Sequence, residues 1–395
     1  MERVDVLIVG GGMIGLSLAA ALGDSDLRVM ILDQGSKPEV DPPEPKHKDR
    51  WILRSGIRPR VTTIAKAQWN FLTRIGASVS APAYSRIEVW DGEGTGTVSF
   101  SAEDLGETEL GYIAENDRLC AALVELLHTR CDVNLHWDTP LVAINKVDDG
   151  YVIDTQDGKW HTTLLVGADG GRSQVRKMAN HSAVHWSYDQ QGVVACVETE
   201  NSHCGVARQW FTTDGILAFL PLADRHLCSI VLSCENAQAI LAMDEREFAG
   251  LLTDLSEGEL GDIVAVDERL VFPLAQQHSL RYVRQNLALI GEAAHTIHPL
   301  AGQGANIGLA DAWALSLVLK QARLEGRSLG DIQLLNGYQR ARRNDNIMTA
   351  ALMEIFVRGF ASRNSVVRWL RNKSMNVVNE SGFLKTLVTR YATLR

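Results

Sequence analysis

At 395 residues, with 46% hydrophobic and 22% charged side chains, the chain has the composition of a globular protein long enough for two or three separate cores. Its net charge of −9 argues against nucleic acid as a partner. Six scattered cysteines without a C-x-x-C pair argue against a zinc site and for a reducing compartment. Met1-Glu2-Arg3 runs straight into a strand-like segment, and no apolar run approaches the ~18 residues of a spanning helix. A cytoplasmic location is therefore expected. From Asn336 to Arg395 the charge reverses, with 11 Lys and Arg against 3 Asp and Glu, leaving −17 on the remainder. Such a basic tail has three readings: docking on the acidic body, on an acidic partner, or on the anionic inner-membrane surface.

In chain order, residues 4–9 are a short β-branched run, followed at once by Gly10-Gly11-Gly12-Met13-Ile14-Gly15 and a helix of small apolar residues. That is the strand, G-x-G-x-x-G, helix context of a dinucleotide fingerprint. Gly10 allows the tight turn, Gly12 lets a pyrophosphate approach the backbone, and Gly15 permits close helix packing. A second strand, residues 28–32, ends in Asp33, about 20 residues on, where an acid can hold a ribose hydroxyl. Residues 37–50, with Pro38, Pro42, Pro43 and Pro45, read as a surface loop. Arg60-Val61-Thr62-Thr63 is expected to open an amphipathic helix carrying Ile64, Ala67, Phe71, Leu72 and Ile75.

Alternation from Ile87 to Phe100 around Asp91-Gly92 predicts a hairpin, and Leu119, Leu123, Leu126 and Leu127 predict a helix. Asp169-Gly170 ends a buried strand ahead of Ser173 and Arg176, so Asp169 is either a helix N-cap or a cofactor contact. Residues 183–280 turn to long alternating strands, interrupted by a helix from Glu245 to Leu255. The apolar strand 287–290 then enters a glycine-rich segment, residues 291–308, that opens a buried helix. Such a helix start presents unpaired N–H groups and a positive dipole end. His295 and His298 in it lack a third ligand nearby, so they read as packed, hydrogen-bonded groups more than as a metal pair.

Three motifs thus lie in order: Gly10 to Gly15 with Asp33, Asp169-Gly170, and residues 291–308 with Gly291-Glu292-Ala293-Ala294-His295-Thr296-Ile297-His298-Pro299. Together with Leu110-Gly111-Tyr112, Glu115-Asn116, Val89-Trp90-Asp91 and Phe219-Leu220-Pro221-Leu222, they resemble the ubiquinone-biosynthesis hydroxylases, FAD-dependent monooxygenases with a p-hydroxybenzoate-hydroxylase-like fold. The resemblance implies an α/β fold: a Rossmann-like FAD-binding domain (residues 1–75, 103–180 and 283–345), an inserted antiparallel-sheet substrate domain (76–102 and 181–282), and a C-terminal helical region (346–395). It implies FAD as cofactor, NAD(P)H as reductant, and hydroxylation of a polyprenylated phenol or benzoquinol by a flavin C4a-hydroperoxide, leaning to the methoxy-methyl-benzoquinol step.

By the same resemblance, Gly10, Gly12 and Gly15 would cradle the FAD pyrophosphate and Asp33 the adenosine ribose. Asn116 would face the cofactor, and Asp169 with Gly170 would approach its pyrophosphate; Arg60, read from its own position, is either a cation near the cofactor phosphates or flavin edge or a solvated cation at a helix start. Glu292, where the family has Asp, would reach the ribityl region. Pro299, Gly302, Gly304, Ala305 and Asn306 would line the isoalloxazine. Phe219, Leu220 and Pro221 are expected to form the wall facing the substrate ring. Partners implied are the prenylated substrate, a biosynthetic complex and peripheral membrane contact through the basic tail. The polyprenylphenol step, a soluble aromatic substrate, or a non-catalytic FAD-binding subunit stand as alternatives.

Overall fold

Short β-branched runs and small-residue helices alternate at the N-terminus, and they lay down a parallel sheet. The computed structural model describes residues 1–38, 60–77, 79–92, 94–130, 132–212, 215–297 and 303–361, with residues 373, 375 and 381. Among these, one eight-stranded sheet has the path Val283–Arg284, Leu287–Leu289, Lys159–Gly167, Glu2–Val9, Val29–Leu32, Val133–His136. From Leu287–Leu289 to Val133–His136 these strands run parallel, with Val6 opposite Leu164 on one side and Val29 on the other. Strands buried on both faces read as continuous apolar runs, and Val6, Leu7, Ile8 and Leu164–Val166 are fully buried. The helix Met13–Leu22 is apolar nearly all round and correspondingly enclosed.

A nine-stranded sheet forms the second layer. Its spine is the 17-residue strand Ala183–Thr199, antiparallel to Leu227–Cys234 along one edge and to Leu270–Ser279 along the other. The hairpin Arg86–Asp91 and Thr97–Ser101 joins it, pairing parallel with Val206–Phe211. Helices Ala237–Ala242 and Glu245–Leu255 close a core around Trp210, Phe219, Ile230, Phe248 and Leu252 on one face of this sheet. The opposite face packs, through Leu220, against Tyr84, Leu110 and Ile113 of a three-stranded sheet region.

One local expectation fails. Residues 61–65 do not open a helix: Val61–Ala65 is a strand antiparallel to Gly111–Glu115, and the helix starts at Lys66. The run Val61-Thr62-Thr63-Ile64 is β-branched throughout, which favours the pleated conformation over a first helical turn. The last described helix, Ile332–Ala361, runs unbroken across the expected boundary at residue 345.

Candidate active site

Ligands of open parallel sheets bind beyond the carboxyl ends of the strands. Here Glu2–Val9, Lys159–Gly167 and Leu287–Leu289 lie side by side and each runs into one of the three glycine motifs. At Gly10, φ is +117°, and a Cβ would lie 2.3 Å from the Ala168 carbonyl oxygen, so only glycine fits. A Cβ on Gly15 would lie 2.0 Å from the Gly10 carbonyl oxygen. Gly12 is the opposite case: it is exposed, and nothing lies within 4 Å of its Cβ position. The helix it starts has no side-chain cap and no acid in its first turn, which leaves its positive end open to an anion.

Asp33 grips this loop, accepting from Gly11 N–H at 2.5 Å and from Gly35 N–H at 2.6 Å. Each carboxylate oxygen retains a lone pair for a further donor such as a ribose hydroxyl. Nearby, the Cys120 thiol is pushed up to about 12 by burial, with Asp117 and Asp33 raising it and Arg60 and the Met13 N–H lowering it. Asn116 accepts from Thr62 Oγ1 at 2.5 Å and donates its N–H to the Arg60 carbonyl at 3.3 Å.

In the second motif Ser173 is the helix N-cap, its Oγ accepting from Arg176 N–H at 3.0 Å, and Asp169 braces the same turn. Its carboxylate accepts from Ser173 Oγ at 2.5 Å and from the N–H groups of Gln174 and Val175 at 2.6 and 3.1 Å. Burial pushes its carboxyl up against those hydrogen bonds. Gly170 follows with open space at its Cβ position. Arg176 is buried and donates to the Gly171 carbonyl at 2.7 Å and the Ala293 carbonyl at 2.8 Å. It thereby ties the second motif to the third.

The third motif bridges both sheets. Gly291–Ala293 is a 3-10 turn, and His295–Thr296 adds a two-residue strand to the second sheet, with His295 opposite His278. Gly291 has φ +57°, and a Cβ there would touch Ile14 at 3.3 Å; one on Gly308 would meet the same side chain at 2.9 Å. The third motif is thus packed onto the helix of the first. Glu292 is exposed. Gly304 has open space at its Cβ position and Ala305 is half-buried, whereas Asn306 is buried with its amide bonded to the strand Val61–Ala65. Pro299, Gly302 and His298 lie outside the described residues.

Sequence reasoning missed the hub beneath this turn. Asp311, fully buried, accepts from Gly291 N–H at 3.1 Å, His295 Nε2 at 2.5 Å, Arg342 Nε at 2.9 Å and Asn346 Nδ2 at 3.1 Å. Burial alone would raise its pKa, but the His295 ring and the Arg342 guanidinium hold the carboxyl below its usual range. The signal available was an acid inside a run otherwise buried. Phe219, expected in the substrate wall, is fully buried in the core that holds Trp210, Phe248 and Leu252 under the two helices. Alternation along Ile216–Pro221 turns Leu220 the other way, toward the layer that Asn306 touches.

Three glycine positions with nothing at their Cβ sites, Gly12, Gly170 and Gly304, therefore belong to three motifs that follow the carboxyl ends of neighbouring strands, beside an uncapped helix start. A long, anionic, flat cofactor fits that cradle. The sequence matches the FAD binding domain family over residues 92–351 and the NAD(P)-binding Rossmann-like domain family over residues 8–40. It is 34% identical over 400 residues to the 3-demethoxyubiquinol 3-hydroxylase of Escherichia coli K12, covering 99% of this chain and 98% of the relative. It is 33% identical to the ubiquinone hydroxylase UbiL of Rhodospirillum rubrum, covering 98% of this chain and 89% of the relative. It is 30% identical to the mitochondrial ubiquinone biosynthesis monooxygenase COQ6 of Homo sapiens, covering 98% and 92%. Among solved structures, the p-nitrophenol 4-monooxygenase PnpA of Pseudomonas putida DLL-E4 shares the fold, with a TM-score of 0.78 at 18% identity, over 100% of this chain and 99% of that one. With two thirds of its length inside an FAD-binding family and end-to-end likeness to these relatives, the chain belongs to the FAD-dependent hydroxylases of ubiquinone biosynthesis.

Proposed function

We propose that the chain hydroxylates the ring of a polyprenylated methoxy-methyl-benzoquinol, with NAD(P)H as reductant. The observation that carries this step is the 34% identity to the 3-demethoxyubiquinol 3-hydroxylase along 98% of that relative's length. When bound, FAD supplies the activation of O2 that puts one oxygen atom on the ring; the chain supplies binding, orientation and shelter. Gly10, Gly12 and Gly15 hold the pyrophosphate against the first helix start, and Asp33 takes the adenosine ribose. Asp169-Gly170 and Glu292 border the pyrophosphate and ribityl stretch. The N–H groups of Gly304 and Ala305, at the start of the helix Gln303–Leu324, face the flavin edge that becomes anionic on reduction. Leu220 lines the ring side.

Among the described residues, no helix is long and apolar enough to cross a membrane. A prenylated substrate nonetheless resides in one, and we assign peripheral contact to the basic region that begins at Asn336, along with docking in a biosynthetic complex. The test is turnover by the purified holoprotein with NAD(P)H, O2 and short-chain analogues of the benzoquinol and of the polyprenylphenol. Mass spectrometry is expected to find one added oxygen on the benzoquinol. Oxygen added only to the phenol, or NAD(P)H consumed with no hydroxylated product from either, would overturn the assignment.

A further inference from the structure

A carboxylate at 0% exposure is costly unless every lone pair is used, and Asp311 uses its two oxygens for different tasks. Oδ2 is given to the flavin-facing turn: it accepts from the N–H of Gly291, where the turn begins, and from Nε2 of His295, where it ends. Between those two anchors sit Glu292, Ala293 and Ala294, and Gly291 itself is pressed on Ile14 beside the pyrophosphate loop. Oδ1 is given to the last described helix, Ile332–Ala361, through Arg342 Nε and Asn346 Nδ2. That helix is fastened further by Gln339, whose Oε1 accepts from Tyr282 N–H at 2.8 Å, and by Asn346 Nδ2, which also reaches Tyr282 Oη at 3.4 Å.

We propose that Asp311 is a positioning residue of the FAD site, and that through it Arg342 and Asn346 make the helix Ile332–Ala361 part of the cofactor-binding machinery. The His295 ring on Oδ2 and the Arg342 guanidinium on Oδ1 together let Asp311 stay ionised in the core, and the ionised carboxylate holds the turn at both ends. An amide at position 311 cannot do this. Four donors converge on the two oxygens, and an NH2 group in place of either one faces two of them. Removing Arg342 leaves the turn's acceptor in place, with His295 still on Oδ2, but strips it of the permanent cation on Oδ1. Asp311 is buried and Arg342 half-buried beside it, where water and salt screen them less than at the open surface, so each acts on the flavin's electrostatics as well as on its position. The inference rests on the reading that the turn Gly291–Ala293 faces bound FAD.

The experiment compares the parent holoprotein with Asp311→Asn, Arg342→Met and Asn346→Ala. It reads the FAD dissociation constant, the visible flavin spectrum and the flavin midpoint potential. Asp311→Asn and Arg342→Met are each expected to weaken FAD binding about ten-fold or more, which is about 1.4 kcal/mol. Their midpoint potentials should move in opposite directions: up for Asp311→Asn, which unmasks a cation near the anionic reduced flavin, and down for Arg342→Met. Phe248→Leu, in the core of the other sheet, serves as a control that lowers stability without moving FAD affinity or potential. If Asp311→Asn does not fold, Arg342→Met and Asn346→Ala carry the test alone, with Asn346→Ala the milder of the two. Arg342→Met and Asn346→Ala binding FAD within about two-fold of the parent, at unchanged potential, would sink the inference. A parent protein that takes up no FAD would instead sink the reading beneath it.

Discussion

The side-chain amide of Asn306 is matched to the backbone of Ala65: its Oδ1 accepts from Ala65 N–H at 2.8 Å, while its Nδ2 donates to the Thr63 carbonyl, also at 2.8 Å. Asn306 thus continues the hydrogen-bonding edge of the strand Val61–Ala65 from inside the helix Gln303–Leu324, with 1% of its surface exposed. Asn306→Asp replaces the donor by a second acceptor facing the Thr63 carbonyl, in a place water does not reach. Urea unfolding of the apoprotein should show a loss of about 3 kcal/mol. Asn306→Ala, which leaves the N–H and the carbonyl unpaired without adding repulsion, should cost about 2 kcal/mol. Equal losses in the two variants would contradict the assignment of the amide's orientation.

Gly12 and Gly15 make opposite predictions although they share one motif. Alanine at Gly15 would have to displace the Gly10 carbonyl, 2.0 Å from the new Cβ, so the apoprotein should lose about 3 kcal/mol or fail to accumulate. Alanine at Gly12 meets nothing, and its φ of −80° suits any residue. Gly12→Ala should therefore fold with parental stability in the absence of FAD. What it should lose is the stabilisation FAD confers, about 2.7 kcal/mol at a hundred-fold excess over the dissociation constant. Thermal melts of each protein with and without added FAD read both effects, and a Gly12→Ala protein stabilised by FAD as strongly as the parent contradicts the pyrophosphate assignment.

Glu292 stands exposed between Gly291 and Ala293, both buried, where relatives carry Asp according to the resemblance. If its carboxylate serves the ribityl stretch, charge matters more than reach. Glu292→Asp is expected to bind FAD within about three-fold of the parent, and Glu292→Gln about ten-fold more weakly. Titration of apoprotein with FAD, followed by flavin fluorescence, separates them. Equal affinities for Glu292→Gln and the parent would remove Glu292 from the site.

These contrasts also mark where the chain's own pattern is readable. The first motif was legible because its demands are local: the turn needs a positive φ at Gly10, the helix needs no Cβ at Gly15, and Asp33 lies one strand away. The segment at 61–65 misled because Ile64, Ala67 and Phe71 have helical spacing, while the β-branched run ahead of them answers to the partner strand Gly111–Glu115. Alternation showed that Phe219 and Leu220 face opposite ways, but not which face a pair of helices would cover. Asp311 was the hardest to read. Its donors come from the preceding turn and from Arg342 and Asn346 on the next helix, and only the packing of those two helices brings them to one carboxylate.

His181 gives the fold a dependence on pH that can be assigned a sign. Its ring is pushed down to about 4 by burial, against the Arg281 carbonyl that faces Nδ1 at 3.2 Å, and the nearby cations Arg284, Arg176 and Arg281 lower it further. The unfolded chain titrates near 6.5. As pH falls below that value the unfolded state takes up a proton that the folded state refuses until about 4, so the stability from this site is full at neutral pH and drains away through that window. Between about pH 7 and pH 5 the share is about 2 kcal/mol. His278, also pushed down to about 4 by burial together with the neighbouring His295 and Arg343, drains in the same direction. His181→Asn keeps a donor for the Arg281 carbonyl but cannot titrate, so its unfolding free energy should fall less than the parent's over the same interval. Urea denaturation of both proteins at the two pH values measures the difference, and parallel losses would mean that His181 is protonated in the folded state as readily as in the unfolded one.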